Sequence, residues 1–287
     1  MNSDSGCLVL DSGDAQLIVD AARGGAIREF NWRKLPILRR TSRSAGADPR
    51  ELACFPMVPY ANRIAHGRFS SQGRAVQLKP NRPPEPHPLH GQGWLSTWKI
   101  VLGSASSATL SFEGGGDDWP WRYKAEQHFE LHPNALVVRL SVQNLAPSPM
   151  PVMLGLHPYF GGAADAALQT GVPRVWLTDG GSLPVEEVVT PVDWSFDQPR
   201  AIATVPLDHC FVDWNARARL FWPDRRVEMR ATHCRYLHLY APAGRDFFCI
   251  EPQSAAAGAL NRDANEATLL PPGERCEIQM SLAVEAA

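Results

Sequence analysis

Glycine and proline interrupt this chain every few residues, with 22 Gly and 25 Pro among 287 positions. Proline removes a backbone donor and breaks a helix, and glycine weakens one through its conformational entropy, so long helices have little room. Short strands joined by turns are what remains. Residues 16–20 and 26–32 flank Gly24-Gly25 and read as a hairpin. Further strand patterns occupy 75–78, 98–102, 109–113, 123–131, 135–144, 150–156, 226–230, 236–240, 247–251 and 277–283. Turn signals fall about 8 to 12 residues apart, as in an antiparallel sandwich. No stretch of a dozen residues carries a clean helical period, and no alternation of strands with long helices implies a parallel α/β sheet. The expected fold is all-β, a large antiparallel β-sandwich with few short helices. The Pro-rich segment 81–88 has strand patterns on both sides and reads as an ordered loop inside one domain, 1–287.

Charge excludes some partners. The 28 basic and 30 acidic residues nearly cancel, to −2, leaving no cationic field for nucleic acid or an anionic membrane surface. The N-terminal segment lacks a basic leader with an apolar core, and no apolar run approaches the length of a membrane span. A cytoplasmic monomer or homodimer is expected. Cys7, Cys54, Cys210, Cys234, Cys249 and Cys276 are scattered without a CxxC pair, which reads as free, mostly buried thiols.

Cofactor signatures are missing as well. There is no GxGxxG before a helix, no GxxxxGK[ST] and no GxSxG, and Gly114 to Gly116 run into Asp117 and Asp118, which repel phosphate. His87 with His90, and His128 with His132, have metal-ligand spacing only on a helix, and both pairs fall in loop or strand. Neither a cofactor nor a metal is expected.

Chemistry concentrates where polar groups sit in apolar, aromatic surroundings and would be costly to bury unpaired. The segments are Phe55-Pro56-Met57-Val58-Pro59-Tyr60-Ala61-Asn62-Arg63-Ile64, Pro88-Leu89-His90-Gly91-Gln92-Gly93-Trp94, Leu154-Gly155-Leu156-His157-Pro158-Tyr159-Phe160, Leu207-Asp208-His209-Cys210-Phe211, and Phe247-Phe248-Cys249-Ile250-Glu251-Pro252-Gln253. In an extended strand Phe247, Cys249 and Glu251 share one face and Phe248 and Ile250 the other, which puts Glu251 in the core or in an aromatic cleft. Desolvation there raises a carboxyl pKa toward the value a general base needs near neutrality. Tyr236, His238 and Tyr240 also share a face, offering flat surfaces of the kind on which sugar rings stack. Two histidines, two carboxylates, Asn62 with Arg63, Gln253 and these rings make the inventory of a site for an uncharged polyhydroxylated ligand, with an acid and a base on opposite sides of the reacting centre.

These segments, in this order, resemble the aldose 1-epimerase (galactose mutarotase-like) family. The resemblance implies a large antiparallel sandwich, a sugar substrate, and interconversion of the α and β anomers of a free hexose without cofactor. It implies that Glu251 is the base at the anomeric hydroxyl and His157 the acid at the ring oxygen. His90 would bond the anomeric side, while Asn62, Arg63, Asp208, Gln253 and Tyr240 would bind hydroxyls, His209 being an alternative to Asp208. Glu251 and His157 should then face one cleft, a pyranose width apart. The sequence departs from the family in the Leu156 and Pro158 that flank His157, and in Gly91-Gln92-Gly93-Trp94 after His90 in place of a double glycine. Such departures bear on the substrate. A relative acts on hexose 6-phosphates, and Arg39, Arg40 and Arg43, or Arg225 and Arg226, are candidates for receiving a phosphate. A non-catalytic carbohydrate binder and a glycoside hydrolase using Glu251 with Asp208 are the alternatives from other classes.

Overall fold

The computed structural model describes residues 6–42, 46, 48–262 and 266–287. Two antiparallel sheets face each other. The larger runs in the order Cys7–Ser12, Ala15–Asp20, Ala26–Trp32, Cys54–Met57, Gly155–Gly161, Phe247–Gln253, Tyr236–Ala241, Leu207–Val212, Arg174–Thr178 and Pro184–Val189, with Leu35–Pro36 beside Ala26–Trp32. The smaller runs Phe196–Ala201, Ala167–Thr170, Arg217–Phe221, Arg225–Thr232, Arg275–Ala286, Ala135–Asn144, Tyr123–His132, Ser107–Gly114 and Lys99–Gly103. Among the described residues a single α-helical turn appears, at Ala259–Arg262, and no helix is long and apolar enough to cross a membrane. The expected antiparallel β-sandwich is what the chain forms.

Alternation explains the layering. Tyr123, Ala125, Phe129 and Leu131 of one strand, and Leu136, Val138 and Leu140 of its neighbour, are buried on one face. They join the core that also holds Leu17, Val19 and Phe30 of the opposite sheet. Each buried Val, Leu or Phe side chain here contributes about 1.5–3 kcal/mol by leaving water. Gln127 occupies the same inward face and is satisfied there, its Nε2 donating to Gly25 O at 3.1 Å. The hairpin at Gly24-Gly25 forms in the register Ala15↔Trp32 and Leu17↔Phe30.

The sequence misleads at prolines. Residues 150–156 are not one strand: Met150–Val152 pairs with Thr268–Leu270, and Gly155–Gly161 belongs to the larger sheet. That second strand runs through Pro158, and its neighbours Cys54–Met57 and Phe247–Gln253 contain Pro56 and Pro252. Proline normally avoids central strands because it cannot donate to the ladder. Here three adjacent strands carry one, Pro56 next to Phe55, Pro158 next to His157 and Pro252 next to Glu251. Strands without alternation, such as Pro184–Val189 and Phe196–Ala201 with its Pro199, gave no pattern to read. The six cysteines are free, with Cys54, Cys210, Cys234 and Cys249 buried.

Candidate active site

The larger sheet is covered on both faces. Phe248 and Ile250 point into the core between the sheets, whereas Cys249 packs with Phe55, Met57, Leu89, Trp94 and Tyr159 on the opposite face, against Tyr240 and Phe247. Register aligns the polar groups on this outer face. Phe55 is opposite His157, and the pairs Gly155↔Gln253 and Tyr159↔Cys249 bracket His157 and Glu251. His238 lies directly across from Glu251, and Cys210 across from His238. Neighbours opposed in this way are in contact range, so strands distant in sequence deliver His157, Glu251 and His238 side by side.

Two loop residues complete the wall. Asn62 and His90 both have left-handed backbones, φ +62° and +56°, a conformation non-glycine residues hold only when their surroundings enforce it. The enforcement is a reciprocal clasp. Asn62 N–H donates to His90 Nδ1 at 3.0 Å, and His90 N–H donates to Asn62 O at 3.1 Å. Gly91 follows at φ +71°, where a Cβ would fall 2.3 Å from Val58 O, so only glycine fits. The 81–88 loop is ordered as expected and braces this turn: Asn81 Nδ2 donates to Leu89 O and Gly91 O, and Leu89 N–H donates to Asn81 Oδ1.

These elements enclose a cavity of about 600 Å³ lined by His90, His157, Glu251, His238 and Asp208, with Tyr159, Tyr240 and Phe247 as apolar surface. That is the size of a small-ligand site. His157 Nε2 lies 3.2 Å from Glu251 Oε1, and the His157 ring is stacked between Phe55 and Tyr159, centroids 4.4 and 4.7 Å away. Burial lifts the Glu251 carboxyl to about 7, against the opposing pull of His238. Burial also holds His157 and His90 well below the usual imidazole value, with nearby positive charge adding to the effect. His90 is therefore neutral, and because its Nδ1 accepts from Asn62, its proton sits on Nε2 as a fixed donor. Asp208 is held well below the ordinary carboxylate range. Desolvation opposes this, but His238 Nε2 at 2.9 Å and the Ser182 hydroxyl at 3.1 Å outweigh it.

Of the residues singled out in the sequence, Glu251, His157, His90, Asn62, Arg63, Asp208 and Tyr240 all line the cavity. Gln253 does not. It is wholly buried behind Glu251, with Nε2 donating to Glu251 Oε2 at 3.3 Å, and so supports the carboxyl instead of facing a ligand. Nor are Glu251 and His157 a ring width apart. They touch, which suits anomeric chemistry because the two oxygens they would serve are bonded to one carbon. His209 faces away, stacked on Trp194 at 4.6 Å, and Tyr236 packs by Cys210, Ala256 and Ala257. Arg39 lines the cavity but is committed to Arg50 O and Leu52 O. Arg40 opens on a different groove. Arg225 and Arg226 lie on the smaller sheet, engaged with Asp224 and Glu285, and Arg43 falls outside the described residues. The residue that sequence reasoning missed is His238, whose only signal was its shared face with Tyr236 and Tyr240.

Among the described residues one group has ligand atoms close enough to share a metal ion, those of His157, Cys249 and Glu251, within 4.8 Å of one another. Burial and the Glu251 charge push the Cys249 thiol well above its usual value, and a thiol binds metal only as thiolate. The group fits proton exchange better than metal binding.

The chain is thus a large antiparallel sandwich with a buried carboxyl touching a histidine in a polar, aromatic-walled cavity. The chain belongs to the aldose 1-epimerase family, whose model matches residues 7–283. It is 34% identical over 281 residues to the uncharacterized protein YphB of Escherichia coli K12, covering 94% of this chain and 96% of that one. It is also 32% identical over 136 residues to the galactose mutarotase of Rattus norvegicus, covering 46% and 38%. The crystal structure of a putative aldose 1-epimerase from Escherichia coli K12 superposes with a TM-score of 0.91 at 32% identity, over 98% of this chain and 99% of that one.

Proposed function

We propose that this protein interconverts the α and β anomers of a free hexose by acid–base opening and reclosure of the ring. The observation that carries the reading is the contact between Glu251 and His157 at 3.2 Å in the cavity wall. In the productive state the pair holds one proton, on His157. Glu251 takes the proton of the anomeric hydroxyl while His157 gives its proton to the ring oxygen, the C1–O5 bond breaks, and a carbonyl forms at C1. Rotation about C1–C2 and the same transfers in reverse return the other anomer. The ring-open state pairs a neutral carboxyl with a neutral imidazole, the forms that burial favours for both groups. His90 Nε2–H bonds an oxygen at the anomeric end, and Asp208, Asn62 and Arg63 hold hydroxyls further along. The mechanism asks nothing of a metal or a cofactor.

Phosphorylated hexoses are the less favoured substrates. Arg50 pairs with Asp48 and Arg63 with Glu85, and Arg39, though without a carboxylate partner, donates to two backbone carbonyls, which leaves Arg245 of the cavity's guanidiniums with neither an ion pair nor a side-chain hydrogen bond among the described residues. Polarimetry or NMR saturation transfer on fresh α-anomers across free hexoses, pentoses and hexose phosphates tests the reading. Acceleration with free hexoses is expected, and no acceleration with any sugar in the panel overturns it.

The one-proton requirement also fixes a pH dependence. Below the low His157 value the pair gains a second proton, and above about 7 it loses its only one. The rate profile should be bell-shaped, with its alkaline limb near 7 and its acid limb well below 6.5. A rate still rising between pH 7 and 9 would show that the pair does not act with a single proton.

A further inference from the structure

The proposed chemistry leaves one buried ionisable group in the cavity without a task. His238 is only 6% exposed, yet it lies at the centre of the polar wall. From Leu207–Val212, Asp208 Oδ1 sits 2.9 Å from its Nε2, with Cys210 directly across the ladder. From Phe247–Gln253, Glu251 is its partner across the other ladder. From the loop, the Asn62 amide nitrogen Nδ2 lies 3.2 Å from Nδ1, and Arg63 is paired with Glu85 at 3.1 Å. His157 and His90 stand beyond, and burial disfavours a charge on either ring. Two carboxylates therefore face this ring, and the Arg63 guanidinium is already compensated by Glu85.

We propose that His238 is a positively charged positioning residue that sets the proton level of the Glu251–His157 pair. Its kinetic consequence rests on the epimerase reading; the charge itself does not. Burial disfavours the charge, but Glu251 and the hydrogen bond to Asp208 outweigh it and carry the imidazole up to about 10. A charged ring needs an acceptor at each nitrogen. Asp208 serves Nε2. At Nδ1, a half-turn of the Asn62 amide brings Oδ1 to the ring in exchange for its contact with Arg63 N–H, trading a neutral hydrogen bond for a charge-assisted one. A cation at this point stabilises the Glu251 carboxylate and opposes an imidazolium at His157. Removing it makes the carboxylate harder to form and the imidazolium easier, so both midpoints of the pair rise.

The test has two independent arms. Ring-nitrogen NMR of the protein with 15N-labelled histidine should show one of the nine histidines still doubly protonated at pH 8, and that signal should vanish in His238→Gln. Asp208→Asn, which keeps the ring but removes one carboxylate, should lower the pH at which the signal disappears, and this arm holds even if His238→Gln does not fold. In the kinetic arm, His238→Gln should move the whole rate–pH profile at least one unit toward alkaline pH. Its rate at the acid limb then falls about tenfold relative to its own maximum. Nine neutral histidines at pH 8 would overturn the charge. A profile lowered uniformly without moving, in a variant that has lost the signal, would overturn the tuning. An inactive wild type would refute the epimerase reading while the NMR arm still decides the charge.

Discussion

Glu251→Gln should lower the anomerisation rate by at least about a hundredfold, the low end of what a positioned base contributes, with little change in KM, and should make the protein more stable at pH 8. The two effects share a cause. The Glu251 carboxyl titrates near 7 when folded and near 4.5 when exposed. At pH 4 both states are protonated and the group contributes nothing. As pH rises through 4.5 the unfolded chain releases its proton first, which favours unfolding, and the cost is complete once pH exceeds about 7. A shift of this size corresponds to about 3 kcal/mol, of which Gln should recover about 1–3 kcal/mol at pH 8 and almost none at pH 4. Urea melts at the two pH values, beside polarimetry, test both. Full activity in the variant would remove Glu251 from the mechanism, and equal stability changes at pH 4 and 8 would show that the carboxylate is not held against desolvation. His157→Asn should slow the reaction similarly. Because the pair moves protons as a unit, the double variant should be little slower than either single one.

How much of this was visible in the sequence depends on which physical relation is asked for. Alternation along one strand is local, so the placing of Glu251 with Cys249 and opposite Phe248 and Ile250 could be read directly and agrees with the two clusters these residues join. Register between strands is not local. Nothing in residues 236–240 or 247–251 states that His238 and Glu251 oppose each other, and so a group at the centre of the wall looked like part of an aromatic face. Gln253 failed for a related reason: it shares the Glu251 face, yet the depth of the cavity, which only the packed loops define, ends before it. The strand patterns stop before Pro158 and Pro252, and none surrounds Pro56, because isolated propensity keeps proline out of strands. In the sheet these prolines fall beside the residues of the site, where the ladder gives way to side chains held for other partners.

Trp94→Ala should cost about 3–5 kcal/mol, the range for emptying a large buried aromatic site, and should reduce activity in whatever fraction remains folded. Trp94 has no exposed surface. Its ring stacks on Phe55 at 5.3 Å and meets the edge of His90 at 5.7 Å, and Phe55 in turn stacks on His157. His90 therefore leans on Trp94 directly, and His157 leans on it through Phe55. The indole N–H also donates to Leu89 O and Gly91 O at 3.1 Å, but these carbonyls receive Asn81 Nδ2 as well, so losing the indole does not strand them. Trp94→Phe separates the two contributions. It keeps most of the packed volume and removes the N–H, and should cost about 1–2 kcal/mol with activity within about tenfold of wild type. If packing positions the histidines, the Ala variant must be much worse than the Phe variant in both melting temperature and rate. Equal losses would shift the support of His90 and His157 from the stacked rings to the hydrogen bonds that hold the 89–91 turn.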